Sequence, residues 1–431
     1  MYQVIVIGGG WSGCAAAVAA KKAGAEVTLL EKTDLLLGLG NVGGIMRNNG
    51  RFTAAEENIA LGACELFAIT DRCARHKNVD FPGHKHASLY DVVKVEPQVR
   101  RLLQEMGIKI RLMTRAIDVE KKTAEDGSIQ VEAVILADGE RVKGDVFVET
   151  SGSTGPMGNC LTYGNGCCMC ILRCPAFGPR VSITQKAGRR DIMGKRKDGA
   201  FGAFSGSGKL EKSSLSLEIQ EQLEKHGAAI IPLPKEEVTK EKLDLKVCQQ
   251  YARNEYAENI ILLDTGYAKI MTPFFPLEKL RKVPGFENAR YADPYAGGKG
   301  NSIRYLSVAE RDNSMKAAGI SNIYCGGEKS GLFVGHTEAI STGSLAGHNA
   351  VRYLKGMRPL ELPSGLAVGD LISFANKSLE SEKGLMTRYT FAGAEYFERM
   401  IEKGLYSTDP KAIRERVRRY GLEGIYDEKL L

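Results

Sequence analysis

A chain of 431 residues is too long for one simple core, and at roughly 150 residues per domain its length predicts two or three units. Lys and Arg number 59 against 52 Asp and Glu, so the net charge of +7 excludes a uniformly polybasic chain while leaving room for a local basic surface. No apolar run approaches the roughly 20 residues of a membrane span, and Met1 leads straight into a strand pattern without a basic and apolar leader. The expectation is a soluble cytoplasmic protein with no membrane contact, whose 10 cysteines stay reduced.

The β-branched run Val4, Ile5, Val6, Ile7 predicts a first strand ending at Gly8, and Gly8-x-Gly10-x-x-Gly13 turns directly into an Ala-rich helix over 14–23. Each glycine of such a turn has its own task. Gly8 permits the turn, Gly10 lets the backbone approach a pyrophosphate, and Gly13 lets helix and strand pack closely, while the helix N-terminus offers its free N–H groups to the phosphates. A second strand, Glu26–Leu30, delivers Glu31 and the adjoining Lys32; a carboxylate there accepts ribose hydroxyls and repels a 2′-phosphate, which selects FAD or NAD over NADP.

The glycine-rich loop 37–44 that follows is either a flexible connection or a run past the flavin, and the second reading makes Asn41, Gly43 and Gly44 cofactor contacts. Residues 53–70 and 91–106 read as helices. Strands are predicted at 108–112, 116–120, Ile129–Leu136 and 140–142, together resembling the small meander inserted in FAD-binding Rossmann domains. The strand Val146–Glu149 then runs into a small-residue turn at Gly152, close to the dinucleotide.

Composition changes at Pro156. The cysteine cluster, a basic glycine-rich stretch and a polar helical region over 214–243 suggest an inserted α+β substrate domain at 156–319. The first architecture returns at Ile323, whose strand ends in Cys325-Gly326-Gly327-Glu328 and is followed by Gly335-His336-Thr337-Glu338-Ala339 opening a helix. Residues 358–431 read as a helical tail that packs on the body or on a second subunit, making a homodimer.

The late strand and helix, taken with the N-terminal fingerprint, resemble FAD-dependent oxidoreductases related to glucose-inhibited division protein A, a group that includes tRNA-modifying flavoproteins. The resemblance implies an α/β fold: a three-layer, Rossmann-type FAD-binding domain made of 1–155 and 320–357, with the insertion and the helical tail added to it. It also implies that Gly327 and Glu328 contact the ribityl and pyrophosphate region. Gly335, His336, Thr337 and Glu338 would then open a helix aimed at the flavin pyrimidine, where its N-terminal dipole stabilises negative charge on reduced flavin.

Cys160, Cys167, Cys168, Cys170 and Cys174 lie within fifteen residues. Cys167 and Cys170 have the Cys-x-x-Cys spacing of thiol redox sites, and Arg173 is placed to lower a thiol pKa. An iron–sulfur or zinc site ranks behind, because the spacing through Cys174 does not match the usual ferredoxin run, and packing of small buried side chains is the third reading. No metal ligand is assigned. His336 is a candidate for proton transfer or a capping-region residue, and Arg180 a candidate clamp for a carboxylate or phosphate. Lys186, Arg189, Arg190, Lys195, Arg196, Lys197 and Lys209 outnumber Asp191 and Asp198 across 186–209, which suits either a solvated loop or an arm for an anionic small molecule or RNA. The function expected is an FAD-dependent oxidoreductase with redox-active cysteines near the flavin. The alternatives are a flavin-dependent tRNA- or rRNA-modifying enzyme and a flavoprotein with a cysteine-ligated metal.

Overall fold

The computed structural model describes residues 2–124, 127–152, 177–201, 203–204, 208–244, 248–272, 276–292, 303–304 and 306–431. Its centre is a five-stranded parallel sheet in the order Ile323–Cys325, Val146–Glu149, Gln3–Ile7, Glu26–Leu30, Lys109–Arg111. The central strands read as continuous apolar runs because both faces are covered. Alternate residues go to opposite layers: Val4, Val6 and Leu29 pack under helices, whereas Ile5, Ile7, Leu30 and Phe147 pack under the antiparallel meander Ala116–Thr123, Ile129–Leu136, Arg141–Lys143. Helix, sheet and meander make the three layers that the sequence predicts, but the strand expected at 108–112 belongs to the parallel sheet and not to the meander, because Lys109–Arg111 pairs with Thr28–Leu30 at the sheet edge.

On the helical face, Trp11–Lys22 and His336–Leu354 cross with their backbones almost touching. A Cβ on Gly343 would lie 2.2 Å from the Ser12 carbonyl oxygen, and one on Gly347 would lie 2.2 Å from that of Ala16. Small residues on both helices are the condition of that crossing.

Three further elements differ from the sequence expectation. The helix over 53–70 is two helices, Gly50–Leu61 and Glu65–Arg72, broken at Gly62, whose φ is +102°. The strands Ala74–Phe81 and His84–Tyr90, paired with Ile45–Met46, were not anticipated. The polar region over 214–243 is helical only at Leu217–His226 and in short 3-10 turns; Gly227 stops the helix in the left-handed region. The strand Ala228–Pro232 then joins an antiparallel sheet with Asn259–Asp264, Ala268–Ile270 and Gly208–Leu210.

The C-terminal region is helical, at Ala367–Ser378, Glu382–Met386, Ala394–Glu402 and Pro410–Arg419, and it packs on the body. Buried Glu57 accepts the N–H groups of Ala367 and Val368 at 2.9 Å, and the Thr53 hydroxyl donates to the Ser407 carbonyl at 2.7 Å. Among the described residues no helix is long and apolar enough to cross a membrane.

Candidate cofactor cleft

The first strand ends at a cleft that encloses about 1590 Å³ of space, open solvent included. Gly8 has φ +103°, and a Cβ there would meet the Thr150 carbonyl oxygen at 2.5 Å. Gly13 makes the tighter packing contact, since its Cβ would stand 1.8 Å from the Gly8 carbonyl oxygen. Gly10 differs from both: its Cβ would meet no atom within 4 Å. No neighbour in the protein demands glycine at that position, and the space belongs to the cleft that Gly10 lines. The helix starting at Trp11 has no side-chain cap, and the Ser12 hydroxyl, which also lines the cleft, is buried without a partner among the described residues. Free N–H groups, an open glycine and an orphaned hydroxyl fit a pyrophosphate.

Glu31 lines the cleft at the end of the second strand and is 7 % exposed. Its Oε2 accepts the Gly9 N–H at 2.7 Å, and its Oε1 accepts the Thr33 N–H at 2.8 Å. The Thr33 hydroxyl has a single proton and two acceptors in reach, Glu31 Oε1 and the Leu35 carbonyl, each at 2.9 Å. The carboxylate therefore keeps one or two acceptor positions for ribose hydroxyls. Lys32 lines the same part, with Nζ donating to the Gly178 carbonyl at 2.7 Å.

The 37–44 loop lies over the first turn. Leu37 N–H donates to the Gly9 carbonyl at 2.7 Å, and Gly43 rests on the His336 imidazole, where a Cβ would come within 1.7 Å of Nε2. His336 is the first residue of its helix, and its ring lies 6.2 Å from that of Trp11 and 6.0 Å from that of Tyr90. Gly152, Gly327, Glu328 and Gly335 line the cleft with it, and Arg180 reaches the rim beside Gly152.

Four assigned residues stand behind the lining. The Asn41 amide donates to the Leu36 and Gly38 carbonyls at 2.7 and 3.2 Å, bracing its own loop. Gly44 has φ +75° and faces Thr265, and the Thr337 hydroxyl lies 3.4 Å from the Met46 sulfur. Glu338 is fully buried, accepting from Arg51 Nε at 3.1 Å on both oxygens, from the Thr390 hydroxyl at 2.7 Å and from the Phe391 N–H at 2.9 Å.

The basic stretch is fastened rather than loose over much of its length. Lys329 Nζ, itself buried, donates to both Asp191 oxygens at 2.8 and 2.7 Å. Lys195, Arg196 and Lys197 pair with Glu382, Asp198 and Asp244.

Sequence reasoning missed one wall of the cleft. Arg51, Cys248, Gln250, Tyr251, Lys269 and Met271 line it, brought from far along the chain. Burial pushes the Tyr251 phenol up to about 12, so it stays a hydroxyl donor. Burial also pushes the Cys14 and Cys325 thiols up, whereas Cys248 is half-buried and on the cleft. The cluster Cys160, Cys167, Cys168, Cys170 and Cys174 lies outside the described residues, as does Arg173. Among the described residues no group of His, Cys, Asp and Glu could hold a metal ion.

The family model for glucose inhibited division protein A matches residues 3–271 and 266–358. Two curated relatives are methylenetetrahydrofolate–tRNA-(uracil-5-)-methyltransferases TrmFO. The one from Caldicellulosiruptor bescii is 33% identical over 94 residues, 22% of this chain and 21% of the relative. That from Enterococcus faecalis is 27% identical over 144 residues, 32% of this chain and 28% of the relative. The matched stretches thus span about a quarter of those relatives. Two crystal forms of GidA from Aquifex aeolicus share the fold: form II has a TM-score of 0.64 at 17% identity, covering 97% of this chain and 76% of that one, and form I a TM-score of 0.62 at 16% identity, covering 97% and 78%. The chain belongs to the glucose inhibited division protein A family, whose members are FAD-binding flavoproteins.

Proposed function

We propose that the protein is an FAD-dependent enzyme that modifies a base of tRNA or rRNA. One observation carries this reading: a dinucleotide cradle at Gly8, Gly10, Ser12 and Glu31 shares its cleft with a second wall, Cys248 to Met271, which that cradle does not use. FAD supplies the redox equivalents when bound. The helix N-terminus at Trp11 holds its phosphates, and Glu31 holds its ribose. His336, whose Nε2 lies against Gly43, is the group we assign to hold or pass a proton. The two tRNA-acting relatives support RNA as the substrate, and Lys32, Arg115, Arg180 and Lys269 along the cleft supply positive charge for phosphate. Residues 1–155 with 320–357 would form the cofactor unit and 156–319 the substrate unit.

Titrating the protein with unmodified tRNA transcript at rising salt tests the reading. Binding that weakens steeply between 50 and 200 mM salt, as phosphate contacts require, supports it. Absence of binding at the lowest salt, with FAD bound, contradicts it.

A second reading keeps Cys167 and Cys170 as a redox pair. Its support is that Gly152 and Arg180, which flank the cysteine run in sequence, both line the cleft. Dithionite would then deliver more than the two electrons of flavin alone, and Cys167→Ser would return the count to two. A two-electron count in the unaltered, metal-free protein would remove this reading.

A further inference from the structure

Gln250 lines the cleft and is 5 % exposed, yet its side-chain carbonyl oxygen has no partner among the described residues. A buried amide acceptor left unpaired is costly, and one on a cleft wall can be met by what the cleft holds. Its backbone is held in place. The Asn48 amide donates to His84 Nδ1 at 2.9 Å, which leaves the proton on Nε2 to point at the Gln250 carbonyl 3.3 Å away. Arg51 Nη1 donates to the Asn48 side-chain oxygen at 3.1 Å, and Arg51 is gripped by Glu338. The His84 ring is packed between Phe81 at 4.8 Å and Tyr251 at 4.7 Å. A chain of buried polar contacts from the start of the His336–Leu354 helix therefore fixes the backbone that carries this acceptor on the cleft wall, two residues from the half-buried Cys248.

From this geometry we propose that Gln250 Oε1 accepts the ring N–H of an imide-bearing heterocycle bound in the cleft. The proposal rests on the base-modification reading given above. Two rings in that reading carry an imide N–H, the pyrimidine of the cofactor and a uracil base, and the test separates them.

Two arms are run on holoprotein, wild type, Gln250→Met and Gln250→Glu. Met keeps the volume and removes the acceptor, while Glu keeps an acceptor oxygen. In the first arm uridine and N3-methyluridine protect Cys248 from iodoacetamide, read by peptide mass. In the second, FAD release is measured after dilution. If the base is read, wild type prefers uridine over N3-methyluridine by about tenfold, Gln250→Met loses the preference and Gln250→Glu keeps it. If the cofactor is read, Gln250→Met weakens FAD by about tenfold with Gln250→Glu near wild type. The proposal is overturned if a folded Gln250→Met protein changes neither arm. Absence of uridine protection in wild type, with tRNA binding intact and FAD binding unchanged in Gln250→Met, overturns the proposal alone; absence of tRNA binding as well overturns the functional reading.

Discussion

Arg51 and Glu338 form a fully buried pair in which Nε lies 3.1 Å from both carboxylate oxygens. A Cβ on Gly335 would strike both side chains, at 2.0 Å from Glu338 Oε2 and 2.1 Å from Arg51 Nη2, so the glycine before His336 exists to let the pair close. Glu338 also holds Thr390 and Phe391 of the C-terminal region. The pair thus ties the cleft wall, the His336–Leu354 helix and the C-terminal layer together.

Removing one partner strands the other charge in the core. Glu338→Gln should lower the unfolding free energy by about 3–5 kcal/mol in denaturant melts, and it should loosen FAD. A loss below 1 kcal/mol would show that the charge of Glu338 is dispensable.

Buried and exposed charges of the 186–209 stretch should separate in the same assay. Lys329 holds Asp191 with Nζ also donating to the Ser182 hydroxyl at 2.7 Å, so Lys329→Met should cost several kcal/mol and open the stretch to trypsin. The exposed pairs of Lys195, Arg196 and Lys197 contribute ~0–1 kcal/mol each, and neutralising them should barely move the melt. Equal losses from both sets would contradict this division.

Acid should weaken the fold through two histidines. Burial lowers the pKa of His84 to about 3 and of His348 to about 4, from an ordinary 6.5. The unfolded chain therefore binds more protons than the folded one between pH 6.5 and those values, and stability falls as pH falls through that window. Glu57 acts in the opposite sense, because burial raises its pKa to about 7 and protonation favours the folded state. Both ring nitrogens of His348 lack partners among the described residues, so His348→Leu should flatten the acid decline with little loss at pH 8. An unchanged slope between pH 6.5 and 4 would contradict the assignment.

Local chemistry made the central sheet, the first turn and the late helix readable, since each rests on a short run of β-branched residues or spaced glycines. The strand Ala74–Phe81 was not readable: Arg75, His76, Lys77 and Asn78 hide its alternation, and only Val79 and Phe81 are buried. Leu217–His226 was overextended because composition stays polar past Gly227 while the backbone turns. Gly8, Gly10, Glu31, Gly43 and His336, which local motifs single out in the sequence, line one side of the cleft. Arg51, Cys248, Gln250, Tyr251 and Lys269 carry no local motif, and only the tertiary fold brings them to the cleft.

The central claim, that the cleft at the first turn holds FAD, is tested most directly by FAD content in two glycine variants. Gly13→Ala should fail to fold, because its Cβ would stand 1.8 Å from the Gly8 carbonyl oxygen. Gly10→Val meets open space in the protein and should fold, as judged by circular dichroism, while purifying colourless because its side chain occupies the pyrophosphate position. A folded Gly10→Val protein carrying one FAD per chain would contradict the account.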